Sequence, residues 1–401
     1  MTADPSPVDP GHRGARRLRQ AWEDYCEVIR TTGDELLRQT PPDDELDAAE
    51  GLRYLSRLVR SALEQAFEVT SGEGPQVEPM YAARTSIAQR NPDQIYLRAK
   101  LDARHDYRLR GWRGSGGALS FVTRASGFGG GEEAMTGFLD GAELAVGGDG
   151  TFEVFISQEH REGNWLPVAP GSDLLMVREL FADPEEALPS TLVIERVDGK
   201  DQEGLLSIDA AVGALTQAAV MPRAILERFG DWTQRCAAEA NRFWTMDELL
   251  GAGEILRVGG SPSIDYYLGY WALEPDQALL VEVPPGRAEP WSFQLLNYWQ
   301  ENLNLPYSSS HLNRATARAG EDGGIHLVVA PRNPGVANWI DTARHDHGVM
   351  LFRWFGPVVE RPLPQAWLVG LDEVPTEPDG AERAATRRNQ VAPGYLARRI
   401  G

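Results

Sequence analysis

Cysteine is nearly absent from this chain, with only Cys26 and Cys236 in 401 residues. Two thiols exclude a disulfide scaffold, and no CxxC or comparable spacing offers a structural zinc or redox centre. Also missing is any uncharged apolar run long enough to cross a bilayer. The opening MTADPSPVDPGHRGARRLRQ lacks the continuous apolar segment of a secretory signal. Both absences lead to the expectation of a soluble, cytoplasmic protein. Positive charge is scarce, because 39 Lys and Arg face 59 Asp and Glu for a formal net charge of -20. An extended nucleic-acid or anionic-membrane surface needs a basic footprint to offset phosphate charge, so neither is expected as a partner. A local basic pocket is compatible with the balance. Reaction signatures are missing as well: HExxH, GxSxG and SxxK do not occur. The segment GFGGGEEAMTG does not join a strand to a helix in a phosphate-loop arrangement and reads as a turn or pocket-edge loop.

What remains is the composition of an ordinary globular protein, 42% hydrophobic and 24% charged, long enough for two or three structural units. Residues 1–76 read as a Pro- and Asp-rich disordered start followed by two helices. Leu18, Trp22, Cys26 and Ile29 fall at helical spacing in the first. Leu52, Leu55, Leu58, Val59, Leu63, Ala66 and Phe67 do so in the second, with Asp43 or Asp44 placed to cap its exposed amides. Residues 77–204 change to short runs such as IYLRAKLD, ALSFVTRA, TFEVFISQ and DLLMVRELF between glycine-rich turns, a pattern that predicts an antiparallel sandwich or open barrel. A helical segment at 205–254, divided or kinked at Pro222, precedes a second β-rich region at 255–375, where EDGG before IHLVVAP signals a hairpin. Residues 376–401 form a linker and basic tail. The expected fold class is α+β: two β-rich jelly-roll-like or sandwich regions with N-terminal and central helical segments.

Chemistry-bearing side chains concentrate between Trp291 and Trp354, where aromatics, amides and His311, His345 and His347 recur among strand-like runs. On one strand His345 and His347 would share a face and, with His311 or Asp341, could complete a metal centre, yet no carboxylate follows soon after the HxH. The metal-free alternative makes His345 a proton-transfer residue oriented by Asp341. Both Asn338 and Asp341 have an equally physical role as acceptors for turn amides. In the idealised strand WSFQLLNYW, Trp291, Phe293, Leu295, Asn297 and Trp299 face one way, while Gln294 and Tyr298 face the other. The latter two are therefore the better ligand candidates. Arg353 shares a side with Leu351 and puts a fixed charge among apolar neighbours unless it meets solvent, a carboxylate or an anionic ligand, with Arg314 as a candidate companion.

In RNPDQIYLRAKLD, Arg90, Asn91 and Asp93 occupy a turn, and Tyr96, Arg98 and Lys100 lie on one side of the following strand. That set could recognise a carboxylate or phosphoryl group. The competing expectation is that Asn91-Pro92-Asp93 starts the strand and the cations face solvent.

The segment YSSSHLNRATARAGEDGGIHLVVAPRNPGVANWIDTARHDHGVMLFRW resembles the core of the bacterial domain-of-unknown-function family 1214, and RNPDQIYLRAKLDARHDYRLRGWRG resembles its upstream companion segment. The resemblance implies a β-rich, jelly-roll-like architecture and no general reaction. Position by position it takes in His311, Asn313, Thr316, Ala317, Pro334, Gly335, Asn338, Trp339, Asp341, Thr342, His345, Gly348, Arg353 and Trp354. The family pattern has glycine where this chain has Arg344 and does not require a histidine at His347, which moves the bet from an HxH metal centre toward Asp341 and His345.

The function so expected is a metal-independent small-molecule enzyme using acid–base chemistry (hydrolysis, elimination or isomerisation) on an apolar or glycosylated metabolite. His345, Asp341, His311 and Tyr298 are its catalytic candidates. Gln294, Asn313, Arg314, Asn338, Arg353 and Tyr96 are its ligand-binding candidates. No metal and no cofactor are expected, and the partners are a small-molecule ligand and, through the tail or body, a second copy of the chain. The alternatives are a noncatalytic small-molecule or carbohydrate-binding protein and an oligomeric assembly protein.

Overall fold

The computed structural model describes residues 10–41, 44–69, 74–81, 86–126, 132–181, 188–199, 207–283, 289–303, 308–320, 323–356 and 361–386. Two long helices come first, α1 (Pro10–Gln39) and α2 (Glu45–Phe67). Asp44 caps α2 by accepting from the Asp47 amide at 2.8 Å; Asp43 lies outside the described residues. The inward stripe of α1 is Tyr25, Thr32 and Leu36, whereas Trp22 is 55% exposed and Cys26 also faces outward. Of the expected stripe of α1, Ile29 packs against the core, whereas Trp22 and Cys26 fall on the outward side. On α2, Tyr54, Leu55, Leu58 and Ala62 are buried and Leu52 is exposed.

A first sandwich follows. One sheet has the order β1 (Glu78–Pro79), β2 (Gln94–Lys100), β8 (Leu174–Leu180), β4 (Leu119–Ala125), β5 (Ala134–Asp140). The other runs β7 (Trp165–Pro167), β6 (Thr151–Ser157), β3 (Tyr107–Trp112), β9 (Thr191–Arg196). Period-two alternation sends Ala99, Phe121, Leu175 and Val177 from the first sheet, and Leu109, Val154, Ile156 and Ile194 from the second, into one core.

Helix α3 (Ile208–Ala237) starts at an N-cap on Ser207 and runs through Pro222 as one helix, so the proline does not divide it. Strand β10 (Arg242–Thr245) and the short helices α4 (Met246–Leu250) and α5 (Glu254–Arg257) lead into the second sandwich. Its larger sheet is β10, β11 (Ile264–Ala272), β17 (His347–Phe355), β13 (Trp291–Leu296), β14 (His311–Asn313). The smaller is β16 (Trp339–Asp341), β15 (Ile325–Ala330), β12 (Gln277–Val283), β18 (Gln365–Gly370). The EDGG segment, half of which lies outside the described residues, does not join a paired hairpin, because β14 and β15 belong to different sheets.

On β17, Met350, Phe352 and Trp354 enter the sandwich core, while Val349 and Leu351 face the helices and pack with α1, α2 and α3. Alternation therefore gives the large sheet two apolar faces, one for its partner sheet and one for a helical layer. The result is mixed α+β, and the sheets of the described residues form no barrel, which disposes of the open-barrel option. The helical layer also covers the outer face of the β2–β8–β4 sheet, and a cavity lies between them.

Candidate functional site: an arginine-lined cavity

Along β2, β8 and β4 the even-numbered residues turn away from the first sandwich core. Register sets them in three successive rungs: Tyr96, Arg178 and Ser120; Arg98, Met176 and Val122; Lys100, Leu174 and Arg124. All of these but Ser120 and Val122 form the floor of a cavity of about 370 Å³, within the range of small-molecule sites. Its apolar walls include Ala62 and Ala66 of α2, Val69 just after it, Met221, Ile225, Phe229 and Trp232 of α3, and Ile87. Tyr81, Tyr266 and Arg353 complete the enclosure.

The cations here are not solvated. Arg98, Arg124, Arg178 and Arg353 are 2%, 3%, 6% and 2% exposed. Their partners are mostly neutral. Arg124 donates to the carbonyls of Leu256, at 3.1 Å, and Arg257, and Arg178 donates to that of Gly259. Carbonyls at the end of α5 thus brace both guanidiniums, as the negative pole of a helix end should. Arg353 donates to Gln294 Oε1 and to the Gln89 carbonyl, and Gln294 is held by the Arg90 carbonyl at 3.2 Å and Asn302 at 2.7 Å. Among the described residues, the carboxylate paired with Arg98 is that of Glu64 at 3.9 Å, itself 40% exposed. Nε and Nη1 of Arg98 and Nη1 of Arg178 are buried without a hydrogen-bond partner among the described residues.

Burial pulls the pKa of Arg98, Lys100 and Arg353 down, and that of Arg124 to about 10. These directions express the cost of holding positive charge out of water without a matched anion. Of the two lining carboxylates, Glu133 pairs with Arg228 at 2.7 Å, and Asp173 accepts from the Ser126 amide at 2.8 Å and its hydroxyl while its charge acts on Lys100 and Arg124. Rings soften the cost. The Arg178 guanidinium lies 5.9 Å from the Tyr96 centroid, and that of Arg353 5.9 Å from Tyr266. Tyr81, edge-on to Tyr96 at 5.6 Å, has its hydroxyl pushed up to about 12 by burial and stays a donor.

A second polar cluster lies where α2 meets the second sandwich. Asp47 and Glu50, three residues apart on one helix face, meet the segment before and at the start of β17. His345 Nε2 is 3.1 Å from Glu50 Oε2, and His347 Nε2 is 2.8 Å from Asp47 Oδ2. Asn297 donates to Glu50 at 2.6 Å, and the Trp299 indole donates to the Asp47 carbonyl at 2.8 Å. The hydrogen bond that His347 donates to the Asp47 carboxylate drives the His347 pKa up to about 9, against burial. At His345 burial pulls downward, but the bond and charge of Glu50 prevail and the net direction is up.

Ligand atoms of Asp44, Asp47 and His347 lie within 4.8 Å of one another. A cation there would face the positive N-terminal pole of α2 and compete with a strongly held proton on His347, so the arrangement fits an ion-paired imidazolium better than a metal centre.

The residues singled out from sequence are dispersed over several places. His345 precedes β17, so it does not share a strand with His347. The Asp341–His345 dyad is corrected: both ring nitrogens of His345 are engaged, Nδ1 with the Thr342 carbonyl at 3.1 Å and Nε2 with Glu50, whereas Asp341 accepts from the Ala343 amide at 2.9 Å. Tyr298 lies beyond the end of β13, and its hydroxyl donates to the Gln39 carbonyl at 2.8 Å. His311 and Asn313 both hold Asp93, at 2.9 and 3.0 Å, and so join the two sandwiches. Asn338 clamps the backbone of Arg318 and His326. Arg314 is exposed. Tyr96 and Arg353 line the cavity, and Gln294 supports Arg353. Arg124 and Arg178 escaped notice, although a lone cation inside LSFVTRA or LLMVREL was the available signal.

The structure is similar, with a TM-score of 0.83, to the crystal structure of an uncharacterized protein from Burkholderia cenocepacia, at 36% identity over 90% of this chain and 100% of that one. The chain belongs to the family of that Burkholderia protein. Residues 240–393 match the family described as Protein of unknown function (DUF1254). The C-terminal region is thus a domain of unknown function, and the matching family is 1254 and not the 1214 suggested by the sequence resemblance. A Vibrio parahaemolyticus protein (TM-score 0.43, 11% identity, 70% of this chain and 90% of that one) carries no argument. Neither does a salicylate 1,2-dioxygenase from Pseudoaminobacter salicylatoxidans (0.21, 11%, 75% and 79%). No curated protein matches the chain.

Proposed function

We propose that the protein binds a small organic anion in the cavity between the first sandwich and helices α2 and α3. One observation carries this reading: Arg98 and Arg178 are buried against the cavity with N–H groups that lack partners among the described residues. A buried guanidinium without an anion is expensive, so its retention points to a ligand that supplies one. The apolar walls from α2 and α3 suit the ligand's hydrocarbon or aromatic body. The test is thermal denaturation with benzoate and with neutral benzyl alcohol. Benzoate at a hundred times its dissociation constant should stabilise by about 2.7 kcal/mol, and Arg98→Met should abolish the effect. Without ligand, Arg98→Met should melt at the same temperature or higher, because a buried charge whose counter-ion Glu64 is distant and partly exposed has been removed. Equal stabilisation by benzyl alcohol, or an Arg98→Met protein that still responds to benzoate, would sink the reading.

The acid–base enzyme is the second reading, favoured by the His345–Glu50 contact at 3.1 Å with both side chains about nine-tenths buried. Glu50 then takes the orienting role first given to Asp341. Once a substrate is in hand, His345→Gln should lose turnover and keep binding; loss of folding instead would leave the pair as a structural staple.

A further inference from the structure

Resting on the reading that the cavity binds anions, we infer that its ligand carries a dianionic tetrahedral headgroup, as in a phosphate monoester, on an apolar or aromatic body. The charge around the cavity is the reason. Arg98, Lys100, Arg124, Arg178 and Arg353 all face it, in a chain whose formal net charge is -20. Of the lining carboxylates, Glu133 is held by Arg228, and the charge of Asp173 offsets Lys100 and Arg124 only in part, so the five keep a net positive excess. A single planar carboxylate leaves most of that charge without a counterpart. A phosphoryl group brings close to two negative charges and three acceptor oxygens to one point.

The donors are placed for one headgroup. Arg98 and Arg178 come from adjacent strands one rung apart, with Arg178 opposite Tyr96, and so lie on diagonal positions that long side chains span. Between them they offer Nε and Nη1 of Arg98 and Nη1 of Arg178, three buried nitrogens without partners among the described residues. The half-buried Tyr81 feels the charge of both and its hydroxyl adds a neutral donor that does not ionise near neutrality.

Free phosphate is excluded as the intended occupant by size and lining. The cavity measures about 370 Å³, and Met221, Ile225, Phe229 and Trp232 gain nothing from a bare ion. Arg353 contributes long-range charge more than contact, because its Nη1 and Nη2 are taken by Gln294 and Gln89.

The test is calorimetric titration of the full chain with four probes: phenyl phosphate, inorganic phosphate, benzoate and phthalate. Phenyl phosphate should bind at least about tenfold tighter than each of the others, and Arg98→Met or Arg178→Met should weaken it by about 10- to 100-fold, the span of one charge-assisted hydrogen bond. Arg110→Met, which removes a surface pair with Glu195 on the other sheet, should leave the affinity unchanged. Phthalate or benzoate equal to phenyl phosphate overturns the tetrahedral dianion while the anion-binding reading stands. Inorganic phosphate equal to phenyl phosphate overturns the apolar body. Failure of all four probes, benzoate included, removes both this inference and the reading beneath it. The ranking on the unaltered protein needs no variant, so a variant that misfolds does not protect the proposal.

Discussion

Single residues show where local chemistry decides. Arg344 is exposed and held at φ +75°, next to Ala343 at +52°, in the turn that delivers His345 to Glu50. A side chain beyond Cβ gains nothing there and crowds the following carbonyl, which is the reason glycine suits this position. Arg344→Gly is therefore expected to stabilise the protein by about 1 kcal/mol in urea denaturation, with cavity binding unchanged. An equal loss of stability would mean that the Arg344 side chain makes a contact worth more than the strain. Asn338 teaches the converse. An amide that looked like a ligand candidate spends its three hydrogen bonds on backbone of Arg318 and His326.

Among the elements, α2 holds both polar clusters in place. Its first turns present Asp47 and Glu50 to His347 and His345, and its later turns present Ala62 and Ala66 to the cavity. The staple has a sign. His347 has a folded pKa of about 9 against an unfolded value near 6.5, so its contribution is complete below about pH 6.5 and is lost as pH rises through 9. The shift alone corresponds to about 3 kcal/mol, an upper bound because burial raises the Asp47 pKa and so opposes the pair. The melting temperature should fall between pH 7 and 9.5, and His347→Asn should flatten that fall. A parent protein whose melting temperature rises across this window would contradict the imidazolium assignment. Close packing limits other changes on the same helix. A Cβ at Gly51 would sit 2.8 Å from the Trp299 ring, so helix propensity yields to the approach of that ring.

The whole molecule depends on a short segment between α2 and β2. Gln89, Arg90, Asn91 and Asp93 are all buried, and their partners lie in the second sandwich: Gln300 and Arg353, Gln294 and Asn302, Ser292, His311 and Asn313. Ala88 and Gln89 adopt φ of 56° and 59°, backbone that only the surrounding contacts hold in place. Asp93→Ala strands the His311 and Asn313 donors at this joint and should cost about 2–4 kcal/mol. Urea unfolding followed by tryptophan fluorescence should then separate into two transitions. A single transition at the parent midpoint would show that the sandwiches are coupled by other means.

How far the sequence reached depends on the range of each interaction. Period-two alternation and glycine-rich turns were enough for two β-rich regions, and helical spacing for the layers around them, because burial of alternate residues is a local consequence of backbone geometry. The same parity placed Arg353 beside Leu351 and Tyr96, Arg98 and Lys100 on one face. It did not reveal what lies opposite a face, and so solvated cations and a closed arginine floor looked alike. The His345 partner was sought four residues away and found in α2, 295 residues away in sequence. Amino-acid pattern thus determined the strands, the helices and the side of each strand on which charge sits. Only the packing of α2 and α3 over the first sandwich decided that those charges would be buried, since desolvation depends on the second surface.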